Sequence, residues 1–465
     1  MIATTEIKVP GSFRDPSGFL FRQDGGLYRQ VNQVYREHYD YLIQSGLYHE
    51  LVQASLLIPH EEIFSVASVT SNLDHYKTLR PEPIPFISYP YEWCFSQLKA
   101  AALATLEIQK TALEFGMSLK DASAYNIQFI GGRAILIDTL SFEIYQEGRP
   151  WVAYRQFCQH FLAPLALMAT TDLRLNQLLR IHLDGIPLDL TSSLLPWKTH
   201  FQFSLLSHIH LHARSQKRYE NVSSSTRKDA RLRKSAILGL IDSLETAIRN
   251  LRLSISESTW SSYYGETNYS DEAMKQKIAL VGGMLDISAP QFVWDLGANT
   301  GRFSRLAAER GSYTISFEAD PLCVEANYRT SQEKKETKIV PLVLDLTNPS
   351  SNIGWANQER LSLQDRGPTD TVLALALIHH LAIANNVPLG RIAQFLQPLC
   401  KQLIIEFVPK NDSQVKRLLA TREDVFPHYT QETFDAEFNR FFFIERTTKI
   451  QNTERTLYLM QSRLF

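Results

Sequence analysis

Three acidic residues stand at the ends of three successive apolar runs in the C-terminal half: Asp295 in V-W-D, Glu318 in S-F-E and Asp345 in V-L-D. A glycine-bearing turn, D-L-G-A-N-T-G from Asp295 to Gly301, follows the first of them. Gly297 and Gly301 let the backbone turn tightly and approach a ligand where a Cβ would obstruct it. Asn299, between them, is one of the few non-glycine residue types that tolerate left-handed geometry. Glu318 lies about twenty residues beyond the turn, the separation at which a carboxylate meets both hydroxyls of a ribose. Asp345 stands beside the same cleft, where it could accept a hydrogen bond from an adenine amino group. These types and spacings describe nucleoside binding. Two further runs end in groups that could do chemistry next to it. A-L-A-L-I-H-H-L carries His379 and His380, and L-I-I-E-F-V-P carries Glu406. A histidine titrates near neutrality and can take a proton from a hydroxyl or an amine, or can simply hold the following loop. Glu406 reads either as a ligand for a hydroxyl or amine on the far side of the cleft or as a helix cap.

The elements that must position these residues are short strands alternating with longer helical stretches. Apolar runs over Phe292–Leu296, Tyr313–Phe317, Ile339–Leu344, Thr371–Leu377 and Leu403–Val408 predict parallel strands covered on both faces. Arg440–Glu445 and Arg455–Met460 predict a closing hairpin. The fold class expected is α/β: a Rossmann-like, doubly wound, mostly parallel seven-stranded sheet at the C-terminus, behind an N-terminal α+β domain. Ligands of such sheets bind at the carboxyl ends of the strands, where the acidic residues and histidines fall.

On these residues the C-terminal part, from about Tyr263 to Phe465, resembles the class I S-adenosylmethionine-dependent methyltransferases, whose D-x-G-x-x-x-G turn cradles the methionine part of the cofactor. A dehydrogenase would instead call for G-x-G-x-x-G. The segments N-P-S-S-N-I-G-W, E-R-L-S-L-Q-D-R-G-P and L-A-L-I-H-H-L are similar to the nodulation-protein-type subgroup. The resemblance implies S-adenosylmethionine as cofactor, with Asp295, Gly297, Asn299 and Gly301 in its turn, Glu318 on the ribose and Asp345 on the adenine. Tyr263, in W-S-S-Y-Y-G-E-T-N-Y-S, falls in a segment that in this family folds over the cofactor, or is an ordinary hydrophobic anchor. His379, His380 and Glu406 are the candidate catalytic residues. Methyl transfer needs an in-line nucleophile, and a base only if the acceptor has a proton to lose. The expected activity is transfer to an O or N atom of a small-molecule or glycan-type acceptor. Two alternatives stay open: an RNA or protein methyltransferase, and a catalytically silent cofactor-binding regulator.

In the N-terminal half, Gly18–Arg22 and Leu27–Val31 flank Asp24-Gly25-Gly26, a hairpin signal. A helical stretch through Tyr35–Leu57 and a helix over Phe95–Phe115, stopped by Gly116, follow. The spacing Asp121, Asn126, Asp138 is similar to the D-x-x-x-x-N and later metal-binding Asp of protein-kinase-like phosphotransferases. Arg29 falls where that family has its phosphate-binding Lys, and no glycine-rich loop precedes it, so the resemblance implies a degenerate kinase-like domain kept for binding or scaffolding. His208, His210 and His212 alternate in S-H-I-H-L-H-A, as they would on one strand face. No Cys or acidic cluster accompanies them, and no metal is expected there.

Composition narrows the classes further. With 48 Lys+Arg against 49 Asp+Glu, the net charge of -1 gives no global pull toward nucleic acid or an anionic membrane. Four cysteines without a C-x-x-C pair argue against disulfides and structural zinc and fit a reducing cytoplasm. Met1–Pro10 lacks a signal-peptide layout, and no apolar run approaches a membrane span. The serine-bearing basic stretch 212–235 reads as a linker between an accessory domain over 1–211 and a methyltransferase domain over 236–465. That second domain begins with an amphipathic helix carrying Ile237, Leu240, Ile241, Leu244, Ile248 and Leu251 on one face.

Overall fold

The structure, a computed structural model, describes residues 7–63, 74–213, 233–253, 270–420 and 423–465. These fall into two units, one holding the described residues up to 253 together with Ile353–Arg360, the other holding the rest.

In the first unit, Asp24 and Gly25 adopt φ of 50° and 77°, as a two-residue hairpin turn requires. They join β2 (Gly18–Gln23) to β3 (Gly26–Asn32). With β1 (Ile7–Lys8), β4 (His60–Ile63) and β5 (His75–Pro81) these strands form an antiparallel sheet in the order β1-β2-β3-β5-β4. The helical stretch between β3 and β4 breaks into Arg36–Gln44 and Leu47–Gln53, because Gly46 turns left-handed at φ 86°. The helix Phe95–Glu114 ends ahead of Gly116, which stands at φ 76°. Beyond it β6 (Met117–Leu119) pairs with β9 (Phe142–Ile144), and β7 (Ile127–Ile130) with β8 (Arg133–Leu136).

Two sequence expectations are corrected here. The helix Lys234–Asn250 belongs to the first unit and does not lead into the second. Its apolar face, Ile237, Ile241, Leu244 and Ile248, is buried. Lys110, on the Phe95–Glu114 helix, pairs with Asp242 at 2.7 Å and Glu245 at 2.5 Å. Amphipathicity says that a helix needs a partner, not which one. Leu244→Ala is expected to cost about 2–5 kcal/mol, read as a lowered urea midpoint, with Leu240→Ala, only partly buried, costing less. The second correction concerns the alternating histidines, which lie on a helical segment, Leu206–Leu211, running into His212, and not on a strand. Of the 212–235 linker, residues 214–232 lie outside the described residues.

The second unit is built on seven strands: β10 (Phe292–Leu296), β11 (Tyr313–Glu318), β12 (Ile339–Val343), β13 (Thr369–Ala374), β14 (Cys400–Phe407), β15 (Phe442–Lys449) and β16 (Thr456–Ser462). Their order is β12-β11-β10-β13-β14-β16-β15. All pair in parallel except β16, which runs antiparallel to both neighbours. The closing hairpin sits slightly later than its sequence pattern suggests and carries an irregularity between Ile444 and Arg446. Val293, Leu373, Ile404 and Leu457 bury one face of the sheet against Val281, Met284 and Leu285 of the helix Asp271–Ser288. No helix among the described residues is long and apolar enough to cross a membrane. All four cysteines are buried and free.

Candidate functional site

Strand order reverses between β10 and its neighbours β11 and β13, and this switch point opens a crevice at the strands' carboxyl ends. A cavity of about 580 Å³ lies there. The turn after β10 enters it with Gly297, Asn299 and Gly301 at φ 75°, 50° and 81°. Gly301 is required twice over, since a Cβ there would also lie 2.4 Å from the Asn327 side chain. Its space is taken by packing, so it is the turn as a whole, and not this glycine, that makes room for a ligand.

Glu318 ties the turn to the next strand. Its Oε2 accepts from the Asn299 amide at 2.9 Å, and its Oε1 accepts from the amides of Ala319 at 2.7 Å and Asp320 at 3.0 Å. Burial pushes its carboxyl above the usual range, with the three amides opposing. Asp295, 2% exposed, accepts at Oδ2 from Ser304 Oγ at 2.6 Å, and Ser304 accepts in turn from Ser316 Oγ at 2.6 Å. Burial pushes Asp295 up to about 6, against the Ser304 bond. Asp345 is exposed on the cavity wall, its Oδ1 held by the Thr347 amide at 2.8 Å and hydroxyl at 2.7 Å.

At the end of β13 the chain turns through Ala376, left-handed at φ 51°, and brings both histidines to the cavity. Their rings stand 4.2 Å apart. His379 is 1% exposed, and its buried Nδ1 has no hydrogen-bond partner among the described residues. Burial lowers it to about 3, helped by His380 and Arg455, so its imidazole is neutral. His380 is exposed, and burial of part of its ring lowers it too.

Glu406 is placed differently from the other candidates. It is fully buried and does not line the cavity. Its Oε2 accepts from Lys277 Nζ at 2.5 Å, and its Oε1 faces Arg455 Nη1 at 3.4 Å. Arg455 also grips Asp412 with two bonds, of 2.7 and 3.0 Å. Lys277 and Arg455 themselves line the cavity. Sequence reasoning missed Lys277, Arg455, Asp412 and Gln414, the last of which also lines the cavity. Lys277 alone left a signal, since it falls between Ala273 and Val281 at helical spacing on the buried face. Tyr263 lies outside the described residues.

In the first unit, the structure brings Asp121, Asn126, Asp138 and Arg29 together. Asp121 Oδ1 accepts from the Ser123 amide at 2.9 Å and Gln156 Nε2 at 2.8 Å. Asn126 faces Ser141, whose hydroxyl donates to Asp138 Oδ2 at 2.6 Å. Arg29 Nη1 pairs with Asp138 Oδ1. Two of the alternating histidines are satisfied by hydroxyls, while His212 stacks on the Tyr154 ring. His208 bonds Tyr154 and Ser243, at 2.8 and 2.9 Å, and His210 bonds Ser192 and Thr199, at 2.7 and 2.9 Å. Among the described residues no group of His, Cys, Asp and Glu could hold a metal ion.

The seven-stranded order, which is 3-2-1-4-5-7-6 when β10 counts as the first strand, and the acidic strand ends around the crevice define a Rossmann-like unit of the class I methyltransferase type. The whole chain belongs to the family of nodulation protein NoeA: it is 34% identical to that protein of Rhizobium meliloti (strain 1021) over 459 residues, covering 98% of this chain and 96% of the relative. No family model matches the chain. Among solved structures, magnesium protoporphyrin IX methyltransferase (ChlM) from Synechocystis PCC 6803 with bound SAH aligns with 44% of this chain and 93% of its own, at 17% identity and a TM-score of 0.32. N-methyltransferase NodS from Bradyrhizobium japonicum WM9 aligns with 42% and 98%, at 8% identity and a TM-score of 0.30. WbdD, in a co-crystal structure with a kinase inhibitor, aligns with 43% of each chain, at 14% identity and a TM-score of 0.30.

Proposed function

We propose that the second unit is an S-adenosylmethionine-dependent methyltransferase acting on an O or N atom of a small-molecule or glycan-type acceptor. The observation that carries this reading is Glu318, fixed by three backbone amides at the lip of a cavity whose wall also carries Asp295 and Asp345. The residues present fit the cofactor. A carboxylate locked in one orientation suits a ribose diol, Asp345, exposed and anchored through Oδ1 by Thr347, can accept from an adenine amino group, and the turn from Gly297 to Gly301 frames the methionine end. S-adenosylmethionine supplies an activated methyl group on a sulfonium.

The chain's own residues hold, orient and take a proton. Burial holds His379 neutral and also weakens it as a base, but leaves an imidazole nitrogen able to accept a hydrogen bond. With the cofactor bound, an acceptor O–H or N–H facing the cavity would donate its hydrogen bond to His379, and its proton would leave by that route. His380 stands beside it as a relay toward solvent. Glu406 acts at one remove, since it fixes Lys277 and Arg455, which form part of the cavity wall.

Calorimetric titration of the full chain with S-adenosylmethionine, with NAD and ATP in parallel, tests the reading. Micromolar binding of S-adenosylmethionine is expected, weakened by about 10- to 100-fold in Glu318→Ala as charge-assisted hydrogen bonds are lost. His379→Ala is expected to leave that affinity intact. Preference for NAD, or no binding at all, would sink the proposal.

A further inference from the structure

The resemblance carried by Asp121, Asn126 and Asp138 implies a magnesium nucleotide. In such phosphotransferases the later Asp and the Asn hold the metal, a basic residue on the third strand reaches the phosphates, and an acidic residue of the following helix holds that basic residue in place. The residues of the first unit do not fit this arrangement. We infer that the Asp121–Asp138 cluster takes no magnesium nucleotide, because the Arg29–Asp138 ion pair occupies the place of the metal and closes the cluster on itself.

Asp138 is fully committed. Besides Arg29, its Oδ1 accepts from the Leu140 amide at 3.2 Å, and its Oδ2 accepts from Ser141 at 2.6 Å. Magnesium demands near-octahedral oxygen ligation. Here a guanidinium that cannot lose its proton stands at the same carboxylate, and the two cations would repel. Neither acidic residue of the following helix pairs with Arg29 among the described residues. On the helix Arg36–Gln44, Asp40 accepts from the Tyr76 hydroxyl at 2.5 Å and lies 3.7 Å from Arg36, while Glu37 is exposed. Asp121, the residue that would receive an acceptor proton, is tied to Ser123 and Gln156.

The connection from β1 to β2, where phosphates would be covered, carries Asp15 and is fastened down. Lys120 Nζ donates to Ser17 Oγ at 2.6 Å and lies 3.7 Å from Asp15. Arg14 holds Glu359 at 2.6 Å. Lys120 and Arg14 are thus each paired with a carboxylate of this unit, which reduces the positive charge they could offer a triphosphate. Arg29 on β3 and Asp138 after β8 instead join the sheet to the segment beyond it, which makes the pair a fastening.

Calorimetric titration of the full chain with MgATP and MgADP, together with the variants Asp138→Asn and Asp121→Asn, tests this. The expected result is no binding up to millimolar nucleotide, or binding that both variants retain, which places it outside the cluster. Binding by the wild type that either variant abolishes overturns the inference. A second measurement needs no nucleotide. Arg29→Ala, Asp138→Asn and the double variant are expected to lower the thermal midpoint by similar amounts, as coupled partners do. Shifts that simply add would show the pair to be uncoupled and would also overturn it.

Discussion

Replacing Lys277 with methionine is expected to destabilise the second unit by about 3–5 kcal/mol, the cost of removing the closest partner of a buried carboxylate. Lys277 is 2% exposed and Glu406 fully buried, so no solvent reaches in to replace the lost ammonium. Arg455 approaches Glu406 only at 3.4 Å and spends its better bonds on Asp412. Amide hydrogen exchange of β14 and β16 should accelerate in the variant, with protection in the first unit unchanged. The combination Lys277→Met with Glu406→Gln should recover much of the loss, because the buried carboxylate that lost its closest cation is neutral. If the single variant were as stable as the wild type, Glu406 would have to be satisfied by its other partners alone.

The other large effect is expected in acid. Burial lowers His160 to about 3, and His60 and His208 to about 4, all in the first unit. The fold therefore keeps these imidazoles neutral, whereas the unfolded chain protonates them near 6.5. Their contribution is complete above about 6.5 and is lost as the pH falls toward 4, each histidine removing roughly 1.4 kcal/mol per pH unit across its window. The first unit's urea midpoint should thus fall steeply between about pH 6.5 and 4. His160→Gln, which cannot titrate, should flatten that slope even if it lowers the plateau. Asp295 works in the opposite direction in the second unit, since its raised value favours the protonated form of the fold below about 6. A midpoint indifferent to pH over this range would show that the histidines are not buried as described.

What the sequence revealed and what it concealed follow one physical line. Asp295, Glu318 and Asp345 were legible because strand, turn and strand end are local, and a sheet of this kind places its strand ends in one crevice. Gly297, Asn299 and Gly301 were legible because left-handed backbone restricts residue type. Ala376 takes the same conformation with no such residue to announce it. Lys277 and Glu406 are 129 residues apart, and Arg455 lies 49 beyond Glu406, so no spacing rule could pair them. The alternating histidines misled because a two-residue period was read without the hydroxyls of Tyr154, Ser192, Thr199 and Ser243, which come from elsewhere in the chain. The helix Lys234–Asn250 was recognised as a helix and assigned to the wrong neighbour, since its partners Lys99 and Lys110 lie far upstream.

The grouping of Ile353–Arg360 with the first unit means that the chain passes from one unit to the other three times, not once. A gene shortened to end after residue 253 would yield a first unit without Glu359 and Arg360. Arg14 would lose its carboxylate, and Tyr125 the guanidinium that stands 4.2 Å over its ring. The reciprocal piece would carry eight residues that belong to the other unit. A cut between residues 253 and 270 therefore parts Glu359 and Arg360 from Arg14 and Tyr125, which they hold in the first unit.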